Sequence, residues 1–261
     1  MCRPGRLLFL PLAALVLTAQ TPPPTDVTAE GDPTSATKSF TLQYTYTGST
    51  YGPGSAAGTQ LIPRLAFFSL GKSLVRLSLP RIQTIGGTVS GMGDMQLFYL
   101  FQRPAQAGSK FLGVFAQFPT ASNPLFGTGK WLLGPAGAYV FAFRPQREIL
   151  GILVQTGFSF AGAANRRNQS IATVLPFYSE VLGGGWYLKL PEAPWVFDLQ
   201  KGASLIPLGL GVGRIARLED NPVLISVSDE TTVVHANAPN APKNTARLTF
   251  TFLARATPRP R

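Results

Sequence analysis

Few residues in this sequence have the type and spacing of a catalytic site. Ser159 lies in the segment GFSFAG, which partly resembles the glycine-flanked serine of hydrolases, but position 161 is alanine and no strand-to-helix turn follows. A hydrolase also needs a base, and the only histidine, His235, lies in a predicted loop. We therefore predict that the protein is not an enzyme and has no catalytic residues, and we keep a lipid-modifying Ser159–His235 pair as a minor alternative.

The glycine-rich segments do not match nucleotide-binding sites. The segment FGTGKW at 126–131 has proline at position 124 and tryptophan after the lysine, where a phosphate-binding loop needs glycine and a hydroxyl residue. It predicts a tight turn that enters a strand. The segment GLGVG at 209–213 lacks a surrounding β-α-β pattern. With one histidine, one cysteine and 12 acidic residues, the sequence predicts neither a metal site nor a cofactor.

The composition is unusual for a soluble domain. The 261 residues are 45% hydrophobic but only 13% charged, and the formal net charge is +11. A charged fraction near 25% is usual. The cations occur singly or in pairs along the chain, with no predicted cluster, as at Arg64, Lys72, Arg76, Arg81, Arg103 and Lys110. No nucleic-acid-binding motif accompanies them, so we predict no nucleic-acid partner.

The first residues are typical of an exported protein. A basic segment, MCRPGR, precedes the apolar run LLFLPLAALVL, which is too short to span a membrane. We predict a cleaved signal peptide at 1–20, which contains the only cysteine, Cys2. Residues 21–37 are rich in proline and threonine and are predicted to be a flexible segment. A single domain is predicted at 38–255, followed by a basic tail at 256–261.

The elements that follow are strands. The segment SFTLQYTYT at 39–47 alternates strictly between apolar and polar residues, and ARLTFTFLA at 246–254 repeats the pattern. ILGILVQTGFSF at 149–160 and WVFDLQK at 195–201 alternate in the same way. About a dozen such strands of roughly nine to thirteen residues are predicted. Strands of soluble proteins are usually about five or six residues long, whereas a membrane-spanning strand needs about nine to eleven.

The segment LIPLGLGVGRIA at 205–216 shows what environment these strands need. Four bulky residues (Ile206, Leu208, Leu210 and Val212) share one face, and the opposite face has glycine at 209, 211 and 213. This arrangement suits a wall whose bulky face contacts lipid and whose small or polar face lines a lumen. We predict an all-β, antiparallel transmembrane β-barrel of about 12 strands, with ten or fourteen as neighbouring possibilities. A secreted β-sandwich is the alternative.

This fold assigns a place to several groups of side chains. Aromatic residues at the predicted membrane interfaces are Trp131, Trp186, Trp195, Tyr139, Tyr178 and Tyr187. Candidates for contact with a solute in the lumen are Gln155, Asp198, Gln200, Arg247, Thr249 and Thr251. The alternative for this second group is structural, because charges inside a barrel pair with one another. Arg214 shares the face of Leu210 and is expected to extend its head to the interface.

Four segments also resemble one known family. They are GMGDMQLFYLFQR, FAQFPTASNPLFGTGKWLLGPAGAYVF, GFSFAGAANRRNQSIATVLPFYSEVLGGGWYL and IPLGLGVGRIARLEDNPV. The sequence is similar in these segments to Gram-negative outer-membrane β-barrels labelled "transporter" or "MetA-pathway of phenol degradation". The resemblance implies location in the cell outer membrane and passive passage of small hydrophobic or aromatic solutes. It implies as partners the outer-membrane lipids, lipopolysaccharide and the barrel-assembly machinery. A structural or adhesive envelope protein with a plugged lumen is the main alternative function.

Overall fold

The protein forms a closed barrel of twelve antiparallel strands, seen in a computed structural model. The structure describes residues 38–52, 57–69, 73–84, 89–105, 108–144, 147–218 and 221–253. The predicted signal peptide, the proline- and threonine-rich segment and the basic tail lie outside the described residues. The prediction of a twelve-stranded antiparallel barrel is confirmed.

Fifteen strand segments make up the wall. They are β1 (Ser39–Thr50), β2 (Gly58–Ser69), β3 (Ser73–Ser78), β4 (Arg81–Thr84), β5 (Ser90–Met92), β6 (Met95–Ala105), β7 (Gly108–Phe118), β8 (Lys130–Arg144), β9 (Glu148–Gly162), β10 (Ser170–Gly183), β11 (Trp186–Lys189), β12 (Trp195–Asp198), β13 (Ala203–Leu218), β14 (Asn221–Val234) and β15 (Pro242–Leu253). Three barrel strands consist of two segments each: β3 with β4, β5 with β6, and β11 with β12. Within the described residues, no helix is long and apolar enough to cross a membrane.

Each barrel strand pairs with its neighbours in the chain, and the first strand closes the ring with the last. Strand β1 pairs antiparallel with both β2 and β15, so that Thr41 lies between Arg64 and Thr251. Among the described residues, each barrel strand therefore has an antiparallel neighbour on both sides, which closes the sheet without a free edge.

The two ends of the barrel differ in the length of their connections. At the end where β1 begins and β15 ends, successive strands are joined by two or three residues. At the other end the connections have four to eleven residues. We call these ends the turn end and the loop end. Transmembrane barrels of bacteria combine short periplasmic turns with longer extracellular loops.

Strands β13 and β15 alternate between an outer and an inner face as their sequences predict. On β13, Leu208, Leu210 and Val212 point outward and are 53%, 55% and 45% exposed, whereas Gly211 and Gly213 are buried on the inner face. The terminal strand β15 follows the same rule, because Phe252 points outward and Thr251 is buried inside. An outer face of exposed apolar side chains is what a lipid-facing wall requires.

The inward-facing glycines of β13 make room for side chains of the neighbouring strands. A Cβ atom on Gly213 would overlap the ring of Tyr187. At Gly211 it would lie 2.7 Å from the Cβ of Ser228 and 3.2 Å from the Cγ of Lys189. The alternating glycines therefore do not leave the lumen empty. They accommodate larger inward-facing neighbours, which fill the space beside them.

Substitution of Gly213 by alanine tests this packing. Because the new methyl group overlaps the buried Tyr187 ring, we expect Gly213→Ala to lower the free energy of unfolding by about 1–3 kcal/mol, the usual cost of overpacking. The double variant Gly213→Ala/Tyr187→Leu should recover most of this loss. Urea unfolding in lipid vesicles measures both. Gly48→Ala is the control, because its Cβ would make only an ordinary 3.5 Å contact with Tyr46.

Candidate functional site

The interior of the barrel has one apolar and one polar half. Buried apolar side chains from β3 and from β6 to β10 form a single cluster: Leu74, Phe98, Leu100, Phe111, Phe115, Ala136, Ala138, Val140, Ile149, Leu153, Leu175 and Phe177. On β1, β14 and β15 the buried inward side chains are largely polar, among them Gln43, Thr45, Ser226, Ser228, Glu230, Thr245, Thr249 and Thr251. The predicted polar lining is therefore correct for one half only. The other half has apolar residues on both faces of its strands.

Packed side chains fill the interior near the turn end. Phe177 is almost fully buried over Gly151, where a Cβ atom would overlap its ring. A second apolar cluster of Tyr187, Leu224 and Leu253 occupies the opposite side of the same end. Free space is therefore concentrated toward the loop end.

A break in one barrel strand carries a carboxylate into the lumen. Between β11 and β12 lies the segment LPEAP at 190–194, whose two prolines cannot donate hydrogen bonds to a neighbouring strand. Four residues of β10 face these five, so the chain bulges. The Ala193 N–H donates to the Pro191 carbonyl at 2.7 Å and turns the backbone. Glu192, at the centre of the bulge, has a side chain only 12% exposed.

Glu192 forms ion pairs across the lumen. Its Oε2 accepts hydrogen bonds from Arg64 Nη1 at 2.5 Å and from Arg76 Nη2 at 3.1 Å. The arginines belong to β2 and β3. Around the ring from the β11–β12 strand, with β13 counted as the first neighbour, these are the fifth and sixth strands. We call these three residues the cross-lumen triad. The sequence-based expectation of cations without a cluster is wrong for Arg64 and Arg76, because the closed ring brings them together.

The triad carries an excess of positive charge. Two largely buried guanidinium groups face a single carboxylate, and both arginine side chains are only 12% exposed. Within the described part of the chain, the buried Arg64 Nε has no hydrogen-bond partner. The guanidinium of Arg76 also lies 5.8 Å from the ring centre of Phe98, in the geometry of a cation–π contact. The triad therefore retains donor capacity for a further acceptor.

A cavity of about 320 Å³ adjoins the triad toward the loop end. Its volume falls in the range of small-molecule sites. Phe98, Phe115, Leu153 and Leu175 form an apolar part of its lining. The amide side chains that line it are Gln96, Gln117, Gln155 and Gln169. The cavity therefore has an apolar part, an amide-lined part and a charged end.

Four of the six predicted lumen residues face the interior. Gln155 lines the cavity. Thr249 and Thr251 are buried in the polar half, where the hydroxyl groups of Thr251 and Thr41 are 3.1 Å apart. Arg247 forms an ion pair with Glu230, and its Nε lies 3.3 Å from Glu230 Oε2. For Arg247 the structure therefore supports the alternative of pairing between charges.

The other two predicted lumen residues lie at the loop end. Asp198 ends β12 and forms an ion pair with Arg167, and it accepts hydrogen bonds from the backbone N–H groups of Gln200 and Lys201. Gln200 is exposed in the turn that follows β12. The prediction that Gln200 faces the lumen is wrong, because the strand alternation ends at Asp198.

The predicted interface aromatics point outward with one exception. Trp131 and Trp186 are exposed on the outer face at the loop end and the turn end, respectively. On the same outer face, the Arg214 guanidinium lies 5.3 Å from the Trp186 ring centre. Tyr187 is fully buried in the lumen. The prediction that Tyr187 lies at the membrane interface is wrong. It is based on proximity to a turn, whereas the alternation of the strand directs the side chain inward.

The structure gives Ser159 and His235 separate partners. The Ser159 hydroxyl accepts a hydrogen bond from the Gln169 N–H at 2.9 Å. The His235 ring stacks on Tyr51 with ring centres 3.7 Å apart. These contacts give no support to a Ser159–His235 pair. No group of three or more His, Cys, Asp or Glu residues in the described ranges is arranged to hold a metal ion.

Asp94 holds the longest connection, at 119–129, over the loop end. The buried Asp94 carboxylate accepts hydrogen bonds from the Thr128 N–H at 2.7 Å, the Ala121 N–H at 3.2 Å and the Gln117 amide at 3.1 Å. Gln117 lines the cavity, so Asp94 fixes the loop and one cavity side chain together.

Removal of this carboxylate should loosen the loop. Hydrogen bonds to charged groups are worth about 1.5–3 kcal/mol, so we expect Asp94→Ala to speed chymotrypsin cleavage after the exposed Leu125 about tenfold. Cleavage after Leu199, in another loop-end turn, is the internal control. Equal acceleration at both positions would indicate general unfolding instead of a local effect.

Comparison with known proteins bears on the fold. The sequence matches no protein-family model and no curated protein. An outer membrane channel from Pseudomonas putida F1 has a TM-score of 0.60 at 13% identity, covering 84% of this chain and 96% of that one. The NanC porin has 0.59 at 8% identity, covering 82% and 98%. The KdgM porin, solved in complex with disordered oligogalacturonate, has 0.53 at 6% identity, covering 83% and 99%. The protein thus shares the barrel fold of outer-membrane channels.

Proposed function

We propose that the protein is a passive channel of the Gram-negative outer membrane for small hydrophobic or aromatic solutes. The observation that carries this proposal is the cavity inside the barrel, whose apolar lining includes Phe98, Phe115 and Leu153. An apolar lining favours solutes with an apolar body over sugars. The outward-facing leucines of β13 and the outward tryptophans at both barrel ends suit a membrane wall. The likeness to known outer-membrane barrels and the predicted signal peptide support the same location.

The ends of the barrel suggest its orientation. By the rule for bacterial barrels, the turn end faces the periplasm and the loop end faces the exterior. The cavity then lies toward the external side and the packed side chains of the turn end lie toward the periplasm. Flux follows the concentration gradient in this proposal.

Reconstitution tests the proposal. Purified full-length protein is inserted into planar bilayers and into vesicles that contain lipopolysaccharide, with protein-free membranes as the control. We expect ion conductance in the bilayers and faster uptake of radiolabelled phenol by the protein-containing vesicles. Absence of both effects would contradict the channel.

A structural or adhesive envelope protein with a plugged lumen is the second candidate. The observation in its favour is the packed interior near the turn end, where Phe177 and Tyr187 are almost fully buried. Truncation of this packing discriminates between the two functions. A silent wild type together with a conducting Tyr187→Ala variant would support the plugged barrel, whereas a conducting wild type supports the channel.

A further inference from the structure

We propose that the cavity binds a small monocarboxylate with an apolar body, and that its carboxylate competes with Glu192 for Arg64 and Arg76. The inference rests on the proposed function in one respect, because it names the class of solute that the channel takes. The binding site itself is defined by the described residues of the cross-lumen triad and the cavity beside it.

The charges of the triad favour an anionic head group. Arg64 and Arg76 are both largely buried and share one oxygen of Glu192, so one guanidinium charge lacks a counterion within the triad. The unpartnered Nε of Arg64 is a buried donor, and an unsatisfied buried donor is costly. A carboxylate bound beside Glu192 supplies both the missing charge and an acceptor. Guanidinium groups bind carboxylates well because their paired N–H donors match the two oxygens.

The cavity favours an apolar body attached to that head. Arg64, Arg76 and Glu192 line it together with Phe98, Phe115 and Leu153. A ring placed against these side chains removes apolar surface from water while its carboxylate stays at the arginines. The cavity volume of about 320 Å³ accommodates a single substituted ring or a short acyl chain. A neutral aromatic fills the same space but leaves the excess guanidinium charge unpaired.

Glu192 limits how tightly such an anion binds. It already accepts hydrogen bonds from both arginines, so an incoming carboxylate exchanges one set of charged contacts for another. Conduction requires a site that is favourable enough to enter and weak enough to leave. Removal of the Glu192 charge should therefore strengthen binding, which is an unusual direction for a mutation within a site.

Calorimetry with a charged and a neutral probe tests the site. The purified full-length protein in nanodiscs is titrated with benzoate and with benzyl alcohol, and empty nanodiscs are subtracted. We expect benzoate to bind about tenfold more tightly, as a charged hydrogen bond implies. Arg76→Gln and Arg64→Gln should each weaken benzoate binding about tenfold and leave benzyl alcohol unchanged. The control Arg217→Gln removes an exposed turn-end charge and should retain wild-type binding of both probes.

The Glu192→Gln variant provides the decisive comparison. We expect it to bind benzoate about tenfold more tightly than the wild type, because the competing carboxylate is gone. If the arginine variants fail to fold, this comparison tests the proposal without them. Equal affinity for the two probes, or an unchanged benzoate affinity in Glu192→Gln, would overturn the proposal.

Binding and transport measurements on the same purified protein distinguish the monocarboxylate site from the proposed channel. Selective benzoate binding without conductance or uptake supports the site and contradicts the channel. Conductance and phenol uptake with equal binding of benzoate and benzyl alcohol support the channel and overturn the site.

Discussion

Arginine in place of Val212 lowers the free energy of unfolding in a lipid bilayer by about 2–4 kcal/mol, the usual cost of a charge near the middle of the lipid-facing wall. Val212 points outward from β13 and is 45% exposed. Its neighbours on the same face, Leu210 along the strand and Val227 on β14, are also exposed and apolar. In a bilayer, an arginine there replaces contact with lipid by a charge that water reaches poorly.

A second arginine on the same strand provides the matched control. Leu218, the last residue of β13, also has an exposed side chain but lies at the turn end. Because the cost of a lipid-facing charge falls to about 0–1 kcal/mol near the interface, Leu218→Arg should be nearly neutral. Urea unfolding of both variants in vesicles measures the difference. Equal costs at the two positions would show that depth in a membrane does not matter, and the wall would then not face lipid.

Glutamine in place of Glu192 should lower the free energy of unfolding by about 3 kcal/mol. This value lies at the lower end of the cost of breaking a buried ion pair, because water in the adjoining cavity can partly solvate the unpaired charge. The loss of the carboxylate leaves the largely buried Arg64 and Arg76 without their shared counterion. Urea unfolding in vesicles, at neutral pH, measures the change.

Two further variants show whether the effect comes from uncompensated charge. Lys201→Gln removes an exposed charge in the turn that follows β12 and should change stability by less than about 0.5 kcal/mol. The triple variant Arg64→Met/Arg76→Met/Glu192→Met removes all three charges at similar volume and should recover most of the lost stability. If Glu192→Gln and the triple variant are equally unstable, the packing of the bulge and not its charge stabilises the barrel.

An anionic ligand connects this prediction to the proposed binding site. A ligand that binds only the folded state raises its stability as its concentration rises above the dissociation constant. Benzoate should therefore restore part of the stability of Glu192→Gln, and benzyl alcohol should have less effect. The matched pair of probes separates charge compensation from unspecific binding to the apolar lining.

The sequence by itself determined the strands and the faces of most of their residues. Alternation with a period of two is a local property, so SFTLQYTYT and LIPLGLGVG already place Tyr44 and Leu210 outside and Gln43 and Gly211 inside. The length of the strands and their even number in bacterial barrels led to twelve. The same local rule placed Thr249, Thr251 and Gln155 on the inner face.

Local rules are weaker where a strand ends or has apolar residues on both faces. In the sequence, Gln200 continues the apolar–polar alternation of β12, but the strand ends two residues earlier and the side chain is exposed in a turn. The buried side chains of Ile149 and Leu153 on β9 line an apolar half of the lumen, while the equally apolar Ile152 faces outward. Apolar character alone does not distinguish these two environments.

Only the tertiary structure determines which side chains contact each other across the lumen. Arg64 and Glu192 are 128 residues apart in the chain, and nothing local to either residue indicates the other. Closure of the ring and the registers of the intervening strands place them at opposite sides of a narrow interior. The sequence feature that indicates this site is LPEAP, in which the two prolines that flank Glu192 predict an interrupted strand. The interruption is local, but the partners of Glu192 depend on the diameter and register of the whole barrel, which no single segment encodes.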